Sequence, residues 1–322
     1  MSAAPLVSVL VTAFNRERLI AAAIESVLSQ TFRDFELIVV DDASSDRTAA
    51  VARAYEADPR VRVVRNSRNL GDYPNRNRAA ALARGALLKY HDSDDVMYEH
   101  CLATMVPPLL GEPRAAFALS GSAAWLGGPC PALLTPRMCY QREFLGTQGL
   151  FMCGPAAALF RADAFAALGG FPELGAGSDY VFWLIACARA HVLLVPGDLF
   201  WYRVHPGQER LRASAAEDYA RAWGRAWAAL SAPACPLSAR ERELARRNWA
   251  FVVAREVWRS ARTGRWTDAR RRLAQAGLGW TDWIRYLRRP RRDRLAGTSP
   301  EPLDSAASAA PALAGATERR PA

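Results

Sequence analysis

Three carboxylates fall within four positions in one short stretch of this 322-residue sequence. Asp92, Asp94 and Asp95 directly follow the mostly apolar run 86–90, which predicts a buried strand. Carboxylates crowded at the end of a strand repel one another, so the arrangement favours a compensating cation. Proteins hold a hard divalent ion with one or two carboxylates and with the phosphates of a substrate. The stretch therefore predicts a metal–diphosphate site, and an acidic turn is the alternative that the same residues would form.

Two earlier segments that predict strands also end in polar residues. The first β-rich run ends at Thr12–Asn15, and the second ends at Asp41–Asp42. Strands that alternate with segments of helical spacing predict βαβ units and a parallel sheet. Such sheets bind ligands just outside the carboxyl ends of their strands, so the three polar strand ends predict one nucleotide crevice. The predicted strands are residues 6–11, 35–40, 61–64 and 86–90, and the predicted helices are residues 18–30, 48–57 and 75–84.

The composition and the missing motifs narrow the class of protein. Hydrophobic residues make up 51% of the sequence, which supports a sizeable core. No apolar run approaches the ~20 residues that span a bilayer, and the N-terminus leads straight into a strand-like run, so no signal peptide is expected. The six cysteines lack CxxC spacing, which indicates reduced thiols of a cytoplasmic protein. Dinucleotide and P-loop motifs are absent, which disfavours both of those functions.

Positive charge is concentrated in one segment near the C-terminus. The net charge of the chain is +10. Residues 1–239 contain 23 basic and 23 acidic side chains, whereas residues 240–294 contain 17 Arg and six acidic residues. A neutral unit followed by a basic one indicates a catalytic domain with a surface that meets something anionic.

Several motifs occur in an order that resembles one family. The segments VSVLVTAFN (7–15), SVLSQTFRDFELIVVDDAS (26–44) and DSDD (92–95) are similar to those of the family 2 inverting glycosyltransferases, over roughly residues 5–206. The resemblance implies the GT-A fold, an α/β fold with a Rossmann-like, mostly parallel sheet flanked by helices. It also implies transfer of a sugar from a nucleotide-diphosphate sugar to an acceptor hydroxyl, in bacterial surface polysaccharide or glycoconjugate synthesis.

The resemblance assigns nucleotide contacts to the polar strand ends. Thr12 and Phe14 match the positions that contact the base, and Phe14 lacks the hydroxyl of the Tyr that the family often has there. Asp42 matches the carboxylate that accepts a base N–H, which favours uracil or thymine and hence a UDP- or dTDP-sugar. Packing or a helix cap is the alternative for these residues. The nucleotide-sugar-binding residues implied by the resemblance are Thr12, Phe14, Asn15, Asp42, Arg76, Asp94, Arg203 and His205.

The acidic stretch matches the D-x-D motif of the family. By this resemblance Asp94 contacts the ribose, Asp95 ligates Mn²⁺ or Mg²⁺ together with the diphosphate, and Asp92 supports the metal ligands. Breaking the sugar–phosphate bond leaves negative charge on the nucleoside diphosphate, and a divalent ion neutralises that charge. The resemblance therefore implies a metal-dependent enzyme.

Two later segments complete the set of candidate residues. Asp179 matches the general base that takes the proton of the acceptor hydroxyl, and Ser178 stands where many members of the family have Glu. The alternative for Asp179 is an acidic residue that favours the first turn of a helix. Arg203 and His205 lie in the family's Tyr-Arg-x-His motif and suit phosphate contact or approach to the metal, with a structural turn as the alternative.

The C-terminal part is expected to be a helical appendage. The predicted domains are residues 1–212, the GT-A domain; residues 213–294, a basic helical appendage; and residues 295–322, a disordered tail. The predicted helices of the appendage are residues 215–231, 238–262 and 269–276. Arg with Trp on one helix fits an interfacial helix on anionic lipid, an RNA surface, or a small bundle with a solvated Arg face.

Two other functions are alternatives to glycosyl transfer for this sequence. A sugar-nucleotidyltransferase would need a Gly-rich N-terminal loop with a basic residue, and residues 12–15 are not such a loop. A non-catalytic binder of anionic surfaces would leave the strand-end motifs unexplained.

The expected partners are a nucleotide-diphosphate sugar donor and an acceptor, which is a glycan, a lipid-linked molecule or a protein. The aromatic-rich residues 121–150 are expected to recognise the acceptor. For the basic helices, peripheral contact with the inner face of an anionic membrane stays open beside the small bundle with a solvated Arg face, whereas nucleic acid is not an expected partner.

Overall fold

The alternating strand-like and helical segments fold into the expected βαβ units. The computed structural model describes residues 4–121, 129–146, 149–208, 215–275, 278–281, 284 and 301–302. The strands are β1 (Val7–Ala13), β2 (Phe35–Asp41), β3 (Val61–Arg65), β4 (Leu87–Asp92), β5 (Val96–Met97), β6 (Ala115–Gly121), β7 (Ala132–Leu134), β8 (Ala158–Arg161), β9 (His191–Pro196), β10 (Phe200–Trp201) and β11 (Glu301–Pro302). The α-helices are α1 (Ile20–Leu28), α2 (Thr48–Arg53), α3 (Asp72–Leu82), α4 (Cys101–Gly111), α5 (Pro136–Leu145), α6 (Ala162–Ala167), α7 (Ser178–Arg189), α8 (Ala215–Ser231), α9 (Ala239–Arg262) and α10 (Trp266–Gln275).

The central sheet is parallel in its N-terminal half and mixed beyond it. Its strand order is β3-β2-β1-β4-β8-β6-β9-β7-β11. β1 pairs in parallel with β2 and β4, whereas β8 runs antiparallel to β4 and β6. Every residue of β1 and β2 is buried, as expected for strands covered by helices on both faces. The predicted α/β architecture with a mostly parallel sheet is confirmed.

Helices cover both faces of this sheet. α1 and α4 bury Ile20, Ile24 and Leu102 against one face. The opposite face carries an aromatic core in which the rings of Phe160 and Trp183 stack with centroids 5.8 Å apart. This second core holds α3 and α7, the two helices that carry Arg76 and Asp179, in fixed positions against the sheet.

The C-terminal helices pack against the helices of the second face. Trp249 of α9 is 7% exposed and contacts Phe144 of α5 edge-to-face at 5.9 Å. Glu241 accepts from both Arg137 and Gln141 of α5 and closes a capping box with Ser238 at the start of α9. α8 and α9 therefore share a hydrophobic cluster with the sheet.

The predicted helices of this region agree closely with the structure, and the predicted domain limits are untested. α8 has the predicted bounds, α9 begins one residue later than predicted, and α10 begins at Trp266 rather than at residue 269. The predicted limits near residues 212 and 294 lie outside the described residues. Within the predicted tail only Glu301–Pro302 is described, and this segment pairs with β7.

Two predictions from composition concern membranes and thiols. Among the helices that the structure describes, none is both long enough and apolar enough to cross a membrane. All six cysteines are free thiols, and all except Cys130 are buried. The absence of disulfides agrees with the predicted reduced thiols, and the five buried cysteines contribute to packing.

Candidate active site

The register of the parallel strands brings the polar strand ends together. Thr12 lies opposite Asp92 in the β1–β4 pair, and Ala13 lies opposite Asp41 in the β1–β2 pair. A cleft of about 940 Å³ opens at this edge of the sheet. Seven of the predicted site residues line it, namely Thr12, Phe14, Asp42, Arg76, Asp92, Asp94 and Asp179.

Asp42 sits at the end of the cleft where the base is expected. Its Oδ1 accepts from Asn66 Nδ2 at 2.7 Å and from the Leu70 amide at 2.9 Å, and its Oδ2 accepts from the Gly71 amide at 2.9 Å. Gly71 has a φ of 92°, which glycine adopts readily and which helps aim its N–H at the carboxylate. A carboxylate offers about four acceptor positions. One position therefore remains for an N–H group of a ligand.

Asn15 does not line the cleft. Its Oδ1 accepts from the amide of Ser45 at 2.9 Å, and its own amide donates to Ser44 Oγ at 2.9 Å. The side chain is exposed, and its backbone adopts a φ of 54°. Asn15 thus ties the end of β1 to the loop after β2, while its contact with a nucleotide stays a prediction.

The loop that follows β10 is fastened to the acidic stretch. β10 pairs with β5, which begins directly after Asp95. His205 Nε2 donates to Asp94 Oδ2 at 2.8 Å, and its Nδ1 accepts from the Gly207 amide, which places the ring proton on Nε2. The backbone N–H of Arg203 donates to Asp95 Oδ1 at 2.9 Å. Arg203 and His205 therefore do not line the cleft themselves. His205 holds Asp94, which lines it, and Arg203 holds Asp95, which is buried next to Asp94 and does not line it.

Asp95 carries an unsatisfied buried oxygen. The residue is 1% exposed, and its Oδ2 has no hydrogen-bond partner among the described residues. Burial, and then the charges of Asp92 and Asp94, raise its pKa to about 8, although the Arg203 amide opposes them. A cation beside Oδ2 would relieve both the repulsion and the missing partner.

This observation fits a divalent metal bound at the acidic stretch. No group of three or more His, Cys, Asp or Glu side chains in the described ranges is arranged to hold a metal ion. A magnesium-type site needs only one or two carboxylates when the diphosphate of a substrate supplies further oxygens. Asp95, with the remaining oxygen of Asp94, offers that partial set.

Asp92 is kept ionised by a buried arginine. Arg76 is 7% exposed and donates from Nη2 to Asp92 Oδ1 at 2.7 Å and from Nε to Asp72 Oδ1 at 2.9 Å. Burial would raise the pKa of Asp92, but the charge and hydrogen bond of Arg76 hold it below its ordinary value. Nη1 of Arg76 has no partner among the described residues. The guanidinium of Arg76 thus lines the cleft and retains one buried donor without a partner in the described part of the chain.

Asp179 stands in the first turn of α7. Its Oδ1 accepts from the Tyr180 amide at 2.7 Å. Burial raises its pKa to about 7, against the lowering effects of the Tyr180 amide, the Arg76 charge and a hydrogen bond from Tyr73. Ser178, in the place of the family's Glu, donates to the Gly175 carbonyl and closes the turn before the helix. A carboxylate with a pKa near 7 can accept a proton efficiently at neutral pH.

Arg16 is a site residue that sequence reasoning missed. Its Nε donates to Asp94 Oδ2 at 3.2 Å, its Nη1 donates to the carbonyls of Phe14 and Asn15, and its Nη2 donates to the Gly207 carbonyl at 3.0 Å. It lines the cleft beside Asp94. A basic residue directly after the strand-end motif was a signal that could have revealed it.

Other missed residues come from helices. Tyr73, at the start of α3, lines the cleft together with Asp179 and lowers the pKa of its carboxyl. Tyr219 and Trp223 of α8, Glu256 of α9 and Arg272 of α10 line the same cleft. No sequence signal joins these helices to the strand ends, because packing brings them there. Of the described residues between 121 and 150, only Gly121 lines the cleft.

Comparison with known proteins decides the family. Residues 8–169, half of the chain, match the model of glycosyl transferase family 2. The chain belongs to this family. It is 35% identical over 118 residues to TuaG of Bacillus subtilis (strain 168), a putative teichuronic acid biosynthesis glycosyltransferase. That alignment covers 36% of this chain and 46% of TuaG, and the alignment to the putative glycosyltransferase EpsE of the same strain covers 39% of EpsE.

Solved glycosyltransferase structures share the fold. S. aureus TarS 1–349 in complex with UDP-GlcNAc is 17% identical, with a TM-score of 0.59 over 85% of this chain and 93% of TarS. The mannosyltransferase PcManGT from Pyrobaculum calidifontis, in complex with GDP-Man and Mn²⁺, is 20% identical, with a TM-score of 0.58 over 89% of this chain and 79% of PcManGT. The GT-A fold inferred from the motifs is confirmed.

Proposed function

We propose that this family 2 glycosyltransferase transfers a sugar from a nucleotide-diphosphate sugar to an acceptor hydroxyl with inversion at C1. The observation that carries this proposal is one cleft lined by both Asp179, with its pKa raised to about 7, and the acidic residues Asp92 and Asp94. A single displacement needs a base on one face of the sugar and a stabilised leaving group on the other. TarS and PcManGT, which share the fold, were solved with nucleotide sugars bound.

The transfer step uses Asp179 as the base. Its carboxylate takes the proton of the acceptor hydroxyl while the acceptor oxygen forms a bond to C1 of the donor sugar. The bond between C1 and the phosphate oxygen breaks, and its electrons remain on the nucleoside diphosphate. Tyr73 and the Tyr180 amide hold the carboxylate in place. Because Asp179 and the leaving group would act on opposite faces of the sugar, the anomeric configuration inverts.

Residues at the strand ends bind the leaving group. Arg76 offers its unpaired Nη1, and Arg16 lies beside Asp94, so both guanidinium groups can meet negative oxygens. Asp95 and Asp94 would hold a divalent metal, Mn²⁺ or Mg²⁺, as Mn²⁺ accompanies GDP-Man in PcManGT. Neutralisation of the diphosphate charge is the chemistry that such an ion supplies.

Recognition of the base favours UDP- or dTDP-sugars. Asp42 keeps one acceptor position free for a base N–H, and Phe14 presents a ring at the same end of the cleft. Uracil and thymine carry an N–H flanked by carbonyls, which suits a single carboxylate acceptor. Thr12, whose hydroxyl can donate, supplies the matching polar contact.

The biological setting that we propose is bacterial surface polysaccharide or glycoconjugate synthesis at the cytoplasmic face of a membrane. The relative TuaG is named as a putative teichuronic acid biosynthesis glycosyltransferase. Trp258 and Trp266, at the turn between α9 and α10, are 46% and 55% exposed, and Arg262 and Arg265 beside them are exposed as well. Exposed Trp interleaved with Arg suits peripheral contact with an anionic bilayer.

A panel of sugar nucleotides tests the proposed activity. The full chain is incubated with UDP-, dTDP- and GDP-sugars in Mn²⁺ or Mg²⁺, and release of the nucleoside diphosphate is measured with and without EDTA. We expect slow hydrolysis of at least one UDP- or dTDP-sugar that stops in EDTA. Turnover that persists in EDTA would remove the metal from the proposal, and the absence of hydrolysis and of binding for every donor would contradict the activity.

A further inference from the structure

The cleft extends past Asp179 to the C-terminal helices. Tyr219, Trp223, Glu256 and Arg272 line it together with the nucleotide end. A volume of about 940 Å³ is near the upper limit of single-ligand pockets, which run to ~1,000 Å³. Because α8–α10 carry none of the residues assigned to the donor, the part of the cleft that they line forms a second half.

An aromatic array connects the base to this second half. Tyr180, next to Asp179, stacks on Trp249 with centroids 6.3 Å apart, and Trp249 meets Trp223 edge-to-face at 6.0 Å. The guanidinium carbon of Arg272 lies 5.7 Å from the ring centroid of Trp223. Tyr73 contacts Asp179 from the nucleotide side. The base is thus flanked by the donor residues on one side and by α8–α10 on the other.

The far end of the cleft carries one arginine that lacks an acidic partner among the described residues. Glu256 is paired with Arg259 at 2.6 Å, and Glu217 is paired with Arg271 at 3.5 Å. Arg272 lies against Trp223 and has no acidic partner in the part of the chain that the structure describes. A guanidinium on an aromatic face, left without a counter-charge, attracts an anionic group of a ligand.

We propose that α8–α10 form the acceptor site and that the acceptor is a saccharide with a carboxylate or phosphate group. The inference rests on the proposed glycosyl transfer. The apolar C–H face of a sugar ring would cover the aromatic surface of Tyr219 and Trp223, and the anionic group would pair with Arg272. This placement leaves a hydroxyl of the same saccharide free to reach Asp179.

Binding of small anionic sugars to the full chain tests the proposal. The probes are methyl β-D-glucuronide, glucose 1-phosphate and, as the neutral reference, methyl β-D-glucoside, each titrated by ligand-observed NMR in the presence of saturating UDP and the diamagnetic ion Mg²⁺. The proteins are the wild type, Arg272→Gln, Trp223→Leu and the matched control Arg270→Gln, which changes an exposed Arg of the same helix outside the cleft. The two anionic probes distinguish a carboxylate from a phosphate.

We expect the wild type to bind at least one anionic probe about tenfold more tightly than the neutral glucoside. Arg272→Gln should abolish this preference, Trp223→Leu should weaken all bound probes, and Arg270→Gln should behave as the wild type. No preference in the wild type, no binding of either anionic probe, or an equal loss in Arg270→Gln would overturn the proposal. Arg272→Gln removes the charge of a half-buried side chain but keeps its first methylene groups, so we expect this variant to fold. The proposal can therefore be tested even if Trp223→Leu fails to fold.

Failure of this inference can be told apart from failure of the proposed activity. Binding of UDP and hydrolysis of the donor are measured on the same proteins. Normal donor hydrolysis without anionic preference would reject the acceptor site alone. The anionic probes are also titrated without UDP. Binding that is lost when UDP is then added would show that the probes occupy the diphosphate end, which also overturns the proposal.

Discussion

His205 donates its Nε2–H to Asp94 Oδ2 at 2.8 Å, across 111 residues of sequence. This bond joins the Tyr-Arg-x-His motif to the acidic stretch. Arg16 donates to the same oxygen and also to the Gly207 carbonyl, so β1, the acidic stretch and the loop after β10 meet at one carboxylate. Asp94 is thereby oriented before any substrate binds, and its other oxygen is left for the ligand.

The first prediction concerns this shared carboxylate. His205→Asn should raise the KM for the donor about tenfold and lower kcat less, because one hydrogen bond to a charged group is worth ~1.5 kcal/mol or more. Steady-state kinetics of donor hydrolysis provide the measurement. His100→Asn, at an exposed histidine outside the cleft, is the control. Equal KM values for both variants would mean that the His205 contact is only structural.

A second prediction addresses the orphaned oxygen of Asp95. Asp95→Asn should weaken Mn²⁺ binding in the presence of UDP at least tenfold, because an amide removes the negative charge that a hard cation requires. Calorimetric titration of Mn²⁺ gives the affinity directly. Asp163→Asn, on the exposed face of α6, should leave it unchanged. An unaltered Mn²⁺ affinity in Asp95→Asn would assign the metal to other residues.

The pH dependence of the reaction is the third prediction. Burial raises the pKa of Asp179 to about 7, and only the deprotonated carboxylate accepts a proton. The value of kcat/KM should therefore rise about tenfold per pH unit below pH 7 and level off above it. Tyr73→Phe removes a hydrogen bond that lowers this pKa, so its profile should shift to higher pH. A flat profile between pH 5.5 and 8.5 would argue against Asp179 as the titrating base.

Membrane contact is tested at the turn between α9 and α10. The double variant Arg262→Gln/Arg265→Gln should bind vesicles rich in phosphatidylglycerol at least tenfold more weakly, since each basic residue near such a surface contributes ~1 kcal/mol. Co-flotation with these vesicles and with neutral phosphatidylcholine vesicles measures the effect. Arg53→Gln, an exposed change on α2, serves as the control. Identical flotation of all three proteins would reject the membrane contact.

The sequence predicted those features that depend on local pattern and strand register. The continuous apolar runs of β1 and β2 indicated buried parallel strands, and the parallel register necessarily brought Thr12 and Asp92 together. α8 and α9 were predicted to within one residue, and the start of α9 is marked in the sequence by Ser238 and Glu241, which form a capping box. The family resemblance supplied the roles of Asp95 and Asp179, which spacing alone does not assign.

Features that depend on tertiary packing were not predictable. Tyr73 reaches Asp179 only because α3 and α7 pack on the same face of the sheet. Trp223 and Arg272 line the cleft because the C-terminal helices pack on the sheet domain, where Trp249 of α9 contacts Phe144. No sequence motif predicts that contact. A basic, helical C-terminus could therefore be recognised from the sequence, but its place beside the base could not.

The loss of the base in Asp179→Asn tests the central claim most directly. With the donor that the panel selects, we measure both UDP or dTDP affinity and the rate of nucleoside diphosphate release, with Glu173→Gln as a matched control on the exposed loop before α7. The account predicts unchanged nucleotide affinity and a rate reduced about 10³-fold, within the range that a general base contributes. A rate in Asp179→Asn comparable to those of the wild type and of Glu173→Gln would contradict it.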